Sequence, residues 1–413
     1  MNFSKTILPA ETRRGRDARA PGRVGCPGCE QVPAQIVPYR PYQMRSRRCP
    51  QGERAVQHTT VPYRVALLKL CLTCHREPMT HIHLSLICTV RDEAESIGAL
   101  LDSMLAQTRL PDEIVVNDCL SRDATPAIAR AYAAREPRIR LVAGGHNIPS
   151  GRNNAIRAAR GAIIACTDAG LTLDRHWLAA LVAPIEAGEA DLTGGFYAPD
   201  PRTLFELALA WTNYRTLEEI DPARFLPFGN CMAFRREVWA EVGGFPEWLS
   251  HSEDLYFDLE AERRGFRRAF VPTAVVRFRP RSSLRAFARQ YYLYARGDGV
   301  GGLWPRRHAA RYGAYAGLLG LLAAAARWPA ARLPAVALLG VGVAGYTRGP
   351  YRRLWPHLAG RPPRERAAAL ALVPLIRLVG DLAKMAGYPV GLAQRRGARA
   401  GGCGETRFPH TPA

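Results

Sequence analysis

The first 25 residues contain no apolar run of the kind that directs secretion, so nothing in them reads as a signal peptide. Nowhere does the sequence offer the roughly 20 consecutive uncharged apolar residues of a full membrane span. The central region, 81–299, lacks a positive excess, since 26 Lys and Arg stand against 28 Asp and Glu. A nucleic-acid enzyme carries its positive charge on the folded binding face, so no nucleic-acid partner is expected. Disulfide spacing is also missing there: Cys88, Cys119, Cys166 and Cys231 fall in apolar or loop surroundings without pairing, which suits a reducing compartment.

What is present is a chain of 413 residues, 47% apolar, with a formal net charge of +21. The charge sits in the flanks, +9 over residues 1–80 and +14 over 300–413. Residues 1–78 are rich in Arg, Pro and Gly and show no secondary-structure period apart from the short apolar run Val65–Leu72. Two C-x-x-C pairs, Cys26/Cys29 and Cys71/Cys74, could form a four-thiolate zinc site. The gap between them is about twice the usual ribbon spacing, so this stretch reads instead as a disordered basic extension, or as sequence upstream of an initiator at Met79.

From Leu84 the pattern changes. Leu84–Val90, Glu113–Val116, Ile139–Val142 and Ala162–Cys166 read as short buried strands. Between them Ser96–Ala106, Pro126–Arg135 and Asn153–Ala159 carry helical spacing. The alternation predicts an α/β fold, a mostly parallel sheet with helices on both faces, whose ligand lies outside the carboxyl ends of the strands. Those ends carry Thr89-Val90-Arg91-Asp92-Glu93, Asp118 with Ser121, Asp123 and Thr125, and Thr167-Asp168-Ala169-Gly170. Carboxylates meeting at one edge suit a nucleotide, since they accept bonds from ribose and base or hold a cation beside a diphosphate. None of these strands is followed by G-x-x-x-x-G-K-[ST] or G-x-G-x-x-G, which removes the P-loop and dinucleotide readings.

These residues carry a resemblance. From about Leu84 to Gly299 the chain resembles a family 2 glycosyltransferase of the GT-A fold. Asp118, Ser121, Asp123 and Thr125 match D-x-x-S-x-D-x-T, and Gly151-Arg152-Asn153-Asn154-Ala155 is similar to the A-R-N-x-G segment. Asp168 stands at the first acid of D-x-D, and Ser252-Glu253-Asp254 resembles the E-D element that carries the general base. The resemblance implies an inverting transfer from a nucleotide-sugar donor to an acceptor hydroxyl. Asp254 and Glu253 are then catalytic, and Thr89, Val90, Arg91, Glu93, Asp118, Ser121, Arg152 and Asp168 bind the donor.

Three departures bear on the chemistry. The second acid of D-x-D is Gly170, and Phe278 stands where family members often carry a His ligand. Asp168 is thus left as the candidate ligand for Mg²⁺ or Mn²⁺, with Arg277, Arg279 and Arg281 as alternative partners of a leaving diphosphate. Of the processive Q-x-x-R-W element only Gln290 is kept, which favours one sugar per encounter.

Beyond residue 299, Tyr312–Ala326 and Leu333–Thr347 are each 15 residues without a charge. Arg306, Arg307 and Arg311 precede the pair and Arg348, Arg352 and Arg353 follow it, which predicts a membrane hairpin with both ends cytoplasmic. Arg327, Trp328 and Arg332 lie in its connector, where snorkelling and an interfacial ring extend its reach. Ala367–Leu392, with Arg377, Asp381 and Lys384 on one face, is expected on the bilayer surface. The expected domains are therefore the extension 1–78, a catalytic domain 79–299 and membrane-associated helices with a basic tail, 300–413. The acceptor is then a lipid-linked or envelope glycan. Two other classes compete. A nucleotidyltransferase would need a Gly-rich basic loop after the first strand, and Thr89–Glu93 has no Gly; a non-catalytic membrane binding protein would have no use for Glu253-Asp254.

Overall fold

The computed structural model describes residues 83–400, with side chains up to 397. The cysteine pairs, the zinc reading and Met79 lie outside the described residues. Eight strands form one sheet in the order β3-β2-β1-β4-β7-β6-β8-β5. Its first half is parallel: β1 (Leu84–Val90), β2 (Glu113–Asp118), β3 (Ile139–Ala143) and β4 (Ile163–Asp168). The second half reverses direction. β7 (Cys231–Arg235) runs antiparallel to β4 and to β6 (Leu192–Pro199), while β8 (Arg268–Phe278) is parallel to β6 and antiparallel to the short β5 (Leu171–Leu173).

Helices cover both faces, as the continuous apolar character of β1 requires, since all seven of its residues are buried. Leu84, Leu86, Cys88 and Val90 join the core beneath α1 (Ile97–Leu105), α2 (Thr125–Ala133) and α4 (Trp177–Glu186). Ile87 turns to the opposite core, beneath α3 (Ile148–Ala158), α6 (Arg236–Val242) and α7 (Glu253–Arg263). The register brings Thr89 opposite Asp168 and Val90 opposite Asp118, so the three motif-bearing strands end on one edge.

Helix α3 begins five residues before the expected Asn153. Asn147 caps it in a reciprocal box with Ser150, and Pro149 occupies the first turn, where its missing N–H costs nothing. A Cβ on Gly151 would come 2.6 Å from Cys119 Sγ, so a glycine there lets α3 press against the strand ends and carry Arg152 among them.

The C-terminal helices are built onto this sheet. After α5 (Leu204–Asn213) and α8 (Leu284–Gly301) come α9 (Pro305–Arg327), α10 (Arg332–Leu354) and α11 (Pro363–Ala400). α11 lies against α8 and α5, with Ala369, Val373 and Ile376 buried among Leu207, Leu209 and Phe287. Its polar stripe is engaged within the protein: Arg377 lies 3.9 Å over the Tyr346 ring, Lys384 4.5 Å over Tyr291, and Asp381 pairs with Arg311. α9 and α10 pack as a helical pair, on which Leu319, Leu333, Val336, Leu338 and Val341 are exposed; of the two expected spans, the α9 segment falls short of the length and apolarity of a crossing helix. Among the described residues one segment, Pro329–Leu358, is long and apolar enough to cross a membrane.

Candidate active site

Two loops at the strand edge are latched together by the D-x-x-S-x-D-x-T residues. Ser121 Oγ donates to Asp118 Oδ1 at 2.5 Å and accepts the Asp92 N–H at 2.9 Å. Thr125 Oγ1 accepts the Glu93 N–H at 2.7 Å, and Asp123 accepts the Ala94 N–H at 3.0 Å. Asp92 and Leu120 both hold positive φ, 53° and 59°, a conformation that L-residues keep only where surrounding bonds fix it. Ser121 therefore braces the loop and orients Asp118, which is itself buried. Of the other expected donor contacts, the Val90 side chain belongs to the core and its carbonyl accepts Cys119 N–H. Glu93 accepts from Ser96 Oγ at 2.6 Å, and Arg91 lies beside Asp92.

The centre of the site is one guanidinium shared by two acids. Arg152, 3% exposed, reaches Asp168 Oδ2 and Glu253 Oε1, each at 2.8 Å, with its charge 5.5 Å from the Phe245 ring. A Cβ on Gly229 would collide with this guanidinium, which accounts for a glycine there. Asp254, next along α7, accepts N–H bonds from Gly229 at 3.1 Å and Leu255 at 2.8 Å. One cation thus serves a group of three carboxylates. Burial pushes the Glu253 carboxyl up to about 8, with Asp254 adding to the shift and Arg152 opposing it. Asp168 is raised as well, by burial first, against the pull of Arg152.

Several buried polar atoms at this edge have no hydrogen-bond partner within the protein: Thr89 Oγ1, Thr167 Oγ1, Asp168 Oδ1 and Asn230 Oδ1. Such atoms call for a ligand or ordered water. Among the described residues no three His, Cys, Asp or Glu side chains gather to hold a metal. Gly170 has φ +81°, with open space where a Cβ would stand, and Phe278 stacks on Tyr197 at 4.2 Å and packs on Tyr214 at 4.6 Å. The unpartnered Oδ1 of Asp168 is the atom that would take a divalent cation, and one carboxylate is compatible with Mg²⁺, which keeps several waters. Of the arginines considered for the leaving group, Arg279 pairs with Glu206 at 2.8 Å and Arg281 donates to Gln290 at 3.3 Å.

Sequence reasoning missed Asp258 and Tyr197. Asp258 lies one turn below Asp254 on α7, fully buried, with both oxygens unpartnered and its carboxyl raised well above the usual range by burial and Asp254. The i,i+4 spacing of the two aspartates was the available signal. Tyr197 stands beside the site through Asn230, whose Nδ2 donates to its hydroxyl at 3.2 Å; nothing in its flanking sequence marks it.

Comparison with known proteins agrees with this architecture. Residues 85–243 match the family model described as glycosyl transferase family 2, and residues 169–358 match glycosyl transferase family group 2. Succinoglycan biosynthesis protein ExoA of Rhizobium meliloti is 28% identical over 220 residues, 50% of this chain and 66% of its own. Dodecaprenyl-phosphate galacturonate synthase of Rhizobium johnstonii is 32% identical over 128 residues, 29% of this chain and 37% of its own. The chain thus spans less than two thirds of either relative. A mannosyltransferase from Pyrobaculum calidifontis, solved with GDP-Man and Mn²⁺, shares the fold with a TM-score of 0.50 at 24% identity, over 73% of this chain and 87% of its own. Sheet order, motif placement and these matches agree on a glycosyltransferase fold whose residues 85–358 are similar to glycosyltransferase family 2.

Proposed function

We propose that the chain transfers a sugar from a nucleotide-sugar donor to an acceptor hydroxyl by a single inverting displacement. The observation that carries this reading is the acid cluster at the strand edge, Asp168 and Glu253 on Arg152 with Asp254 alongside. Asp118, Thr89 and Arg152 border the nucleotide, Asp168 the ribose and diphosphate, and Asp254 takes the acceptor proton. The head of α7 suits an ionised base, because the helix N-terminus favours negative charge there. Glu253, tied to Arg152, orients the base. A Mg²⁺ or Mn²⁺ ion bound at Asp168 would neutralise charge on the departing diphosphate.

The test is a screen of nucleotide-sugars for thermal stabilisation, followed by turnover of the stabilising donor with and without EDTA. Turnover is expected to be lost in EDTA and restored by Mn²⁺ or Mg²⁺. Undiminished turnover would instead leave the leaving group to Arg277 and its neighbours, and stabilisation by no nucleotide-sugar would sink the reading.

We take 79–299 as the catalytic unit and 300–413 as membrane-associated, with the catalytic unit on the cytoplasmic face and a lipid-linked or envelope glycan as acceptor. Supporting this are the exposed apolar surface of the α9–α10 pair, the candidate span Pro329–Leu358 and the similarity to a relative named dodecaprenyl-phosphate galacturonate synthase. Exposed apolar patches of this extent mark contact with a membrane or a partner. The chain should remain in the pellet on carbonate extraction without detergent; release to the supernatant would contradict the assignment. Transfer of one sugar per encounter is supported by Leu293-Tyr294 standing where the processive Q-x-x-R-W element has Arg-Trp after its Gln, here Gln290.

A further inference from the structure

The residue before the Glu253-Asp254 pair, Ser252, is held at φ +65°. A non-glycine residue keeps that conformation only where its surroundings fix it. Here α8 does so. Ser252 Oγ donates to Asp298 Oδ1 at 3.0 Å, and Gly297 lies so close beneath the loop that a Cβ would collide with the His251 carbonyl. The other oxygen of Asp298 meets His308 Nε2 on α9 at 3.1 Å. His308 is 3% exposed and stacked at 3.7 Å on Tyr388 of α11, and its Nδ1 lies 3.2 Å from Arg311 NH1. Arg311 Nε in turn donates to Asp381 Oδ1 on α11 at 2.9 Å, and Tyr346 of α10 bonds the same carboxylate. Glycines bring α8 and α11 equally close, since side chains on Gly299, Gly387 or Gly391 would strike the backbone of the facing helix.

We propose that Asp298 is a positioning residue for the transfer. Through Ser252 it sets the loop that presents Glu253 and Asp254. Through His308, Arg311 and Asp381 it makes that setting depend on the docked C-terminal helices. The inference rests on Asp254 as the base and adds what holds the base in place. A packed network with complementary partners at every step transmits position because its members do not deform independently. The helices that carry the apolar hairpin are thereby joined to the base loop, so the full chain, rather than the α/β unit alone, is the competent transferase.

The experiment uses the full chain and compares Asp298→Ala, Ser252→Ala, the double variant, Asp298→Asn and His308→Gln. Loss of a charge-assisted hydrogen bond is expected to lower kcat about tenfold in each alanine variant. Donor KM and the thermal shift given by the nucleoside diphosphate should stay unchanged. The double variant should be no worse than the worse single, because both break one link. Asp298→Asn, which keeps an acceptor for Ser252, should recover part of the rate. Additive losses, or a donor KM that rises with the fall in kcat, would overturn the proposal. If Asp298→Ala does not accumulate as folded protein, Ser252→Ala and His308→Gln carry the same test at either end of the link. Wild-type turnover in Asp298→Ala beside an inactive Asp254→Asn would overturn the positioning role alone, whereas full turnover in Asp254→Asn would overturn the base itself.

Discussion

Asp254→Asn is expected to abolish transfer while making the ligand-free protein more stable. The amide has the shape of the carboxylate and its one oxygen can still accept the Gly229 N–H, giving up the contact with the adjacent Leu255 N–H, so the head of α7 keeps its link to Gly229. What is lost is the basicity that takes the acceptor proton, a contribution of roughly 10²–10⁴-fold. The stability gain follows from the company Asp254 keeps. Its charge adds to the raised values of Glu253, Asp168 and Asp258, and Arg152 is the cation bonded into the group. Removing one negative charge relieves that repulsion, as happens at sites where function holds like charges together. Turnover measured beside thermal melts and donor-induced stabilisation checks this. A variant that loses activity and stability together would point to a structural role for Asp254, and one that keeps most of its rate would remove it as the base.

How much of this was legible beforehand depends on whether the information was local. β1 is found at its expected limits because a strand buried on both faces leaves an unbroken apolar run. β2 and β4 extend two residues further than read, to Asp118 and Asp168, because a polar residue ends an apolar pattern but not a hydrogen-bonded ladder. The reversal at β7 was not legible, since strand direction is decided by pairing across the sheet. Asp118, Asp168 and Asp254 could be singled out as candidates from their motifs. The sharing of Arg152 between Asp168 and Glu253 could not, because its partners lie 16 and 101 residues away in sequence. Ser121 shows the complementary limit. Its motif marks it as a candidate donor contact, yet its hydroxyl bonds Asp118 and the Asp92 backbone. The polar stripe on α11 misled for a related reason: Arg377, Asp381 and Lys384 share a face, as read, but that face meets other helices.

Arg152→Met should be the most destabilising single change at the site, and the size of the effect should depend on pH. In the wild type the guanidinium is buried between two carboxylates, and removing it leaves Asp168 and Glu253 without their cation. Breaking a buried pair from one side costs about 3–5 kcal/mol, mostly the penalty of stranded charge. That penalty exists only while the acids are ionised. Glu253 is raised from 4.5 to about 8 in the folded protein, so over that interval the native state binds more protons than the unfolded chain. Its contribution to stability therefore falls as pH rises from about 4.5 towards 8, and is lost in full above the folded value. Without Arg152 the acids lose the interaction that lowers them, so both move up further and the decline continues to higher pH. At acidic pH the acids of Arg152→Met are neutral, and an apolar side chain beside Phe245 costs little. Melts of both proteins across this range should converge at the acidic end and diverge towards the alkaline end. A constant difference at all pH values would mean that Arg152 acts by packing alone. Arg152→Lys distinguishes charge from geometry: a single ammonium cannot span both acids as the planar fork does, so it should restore part of the stability and little of the donor-induced shift.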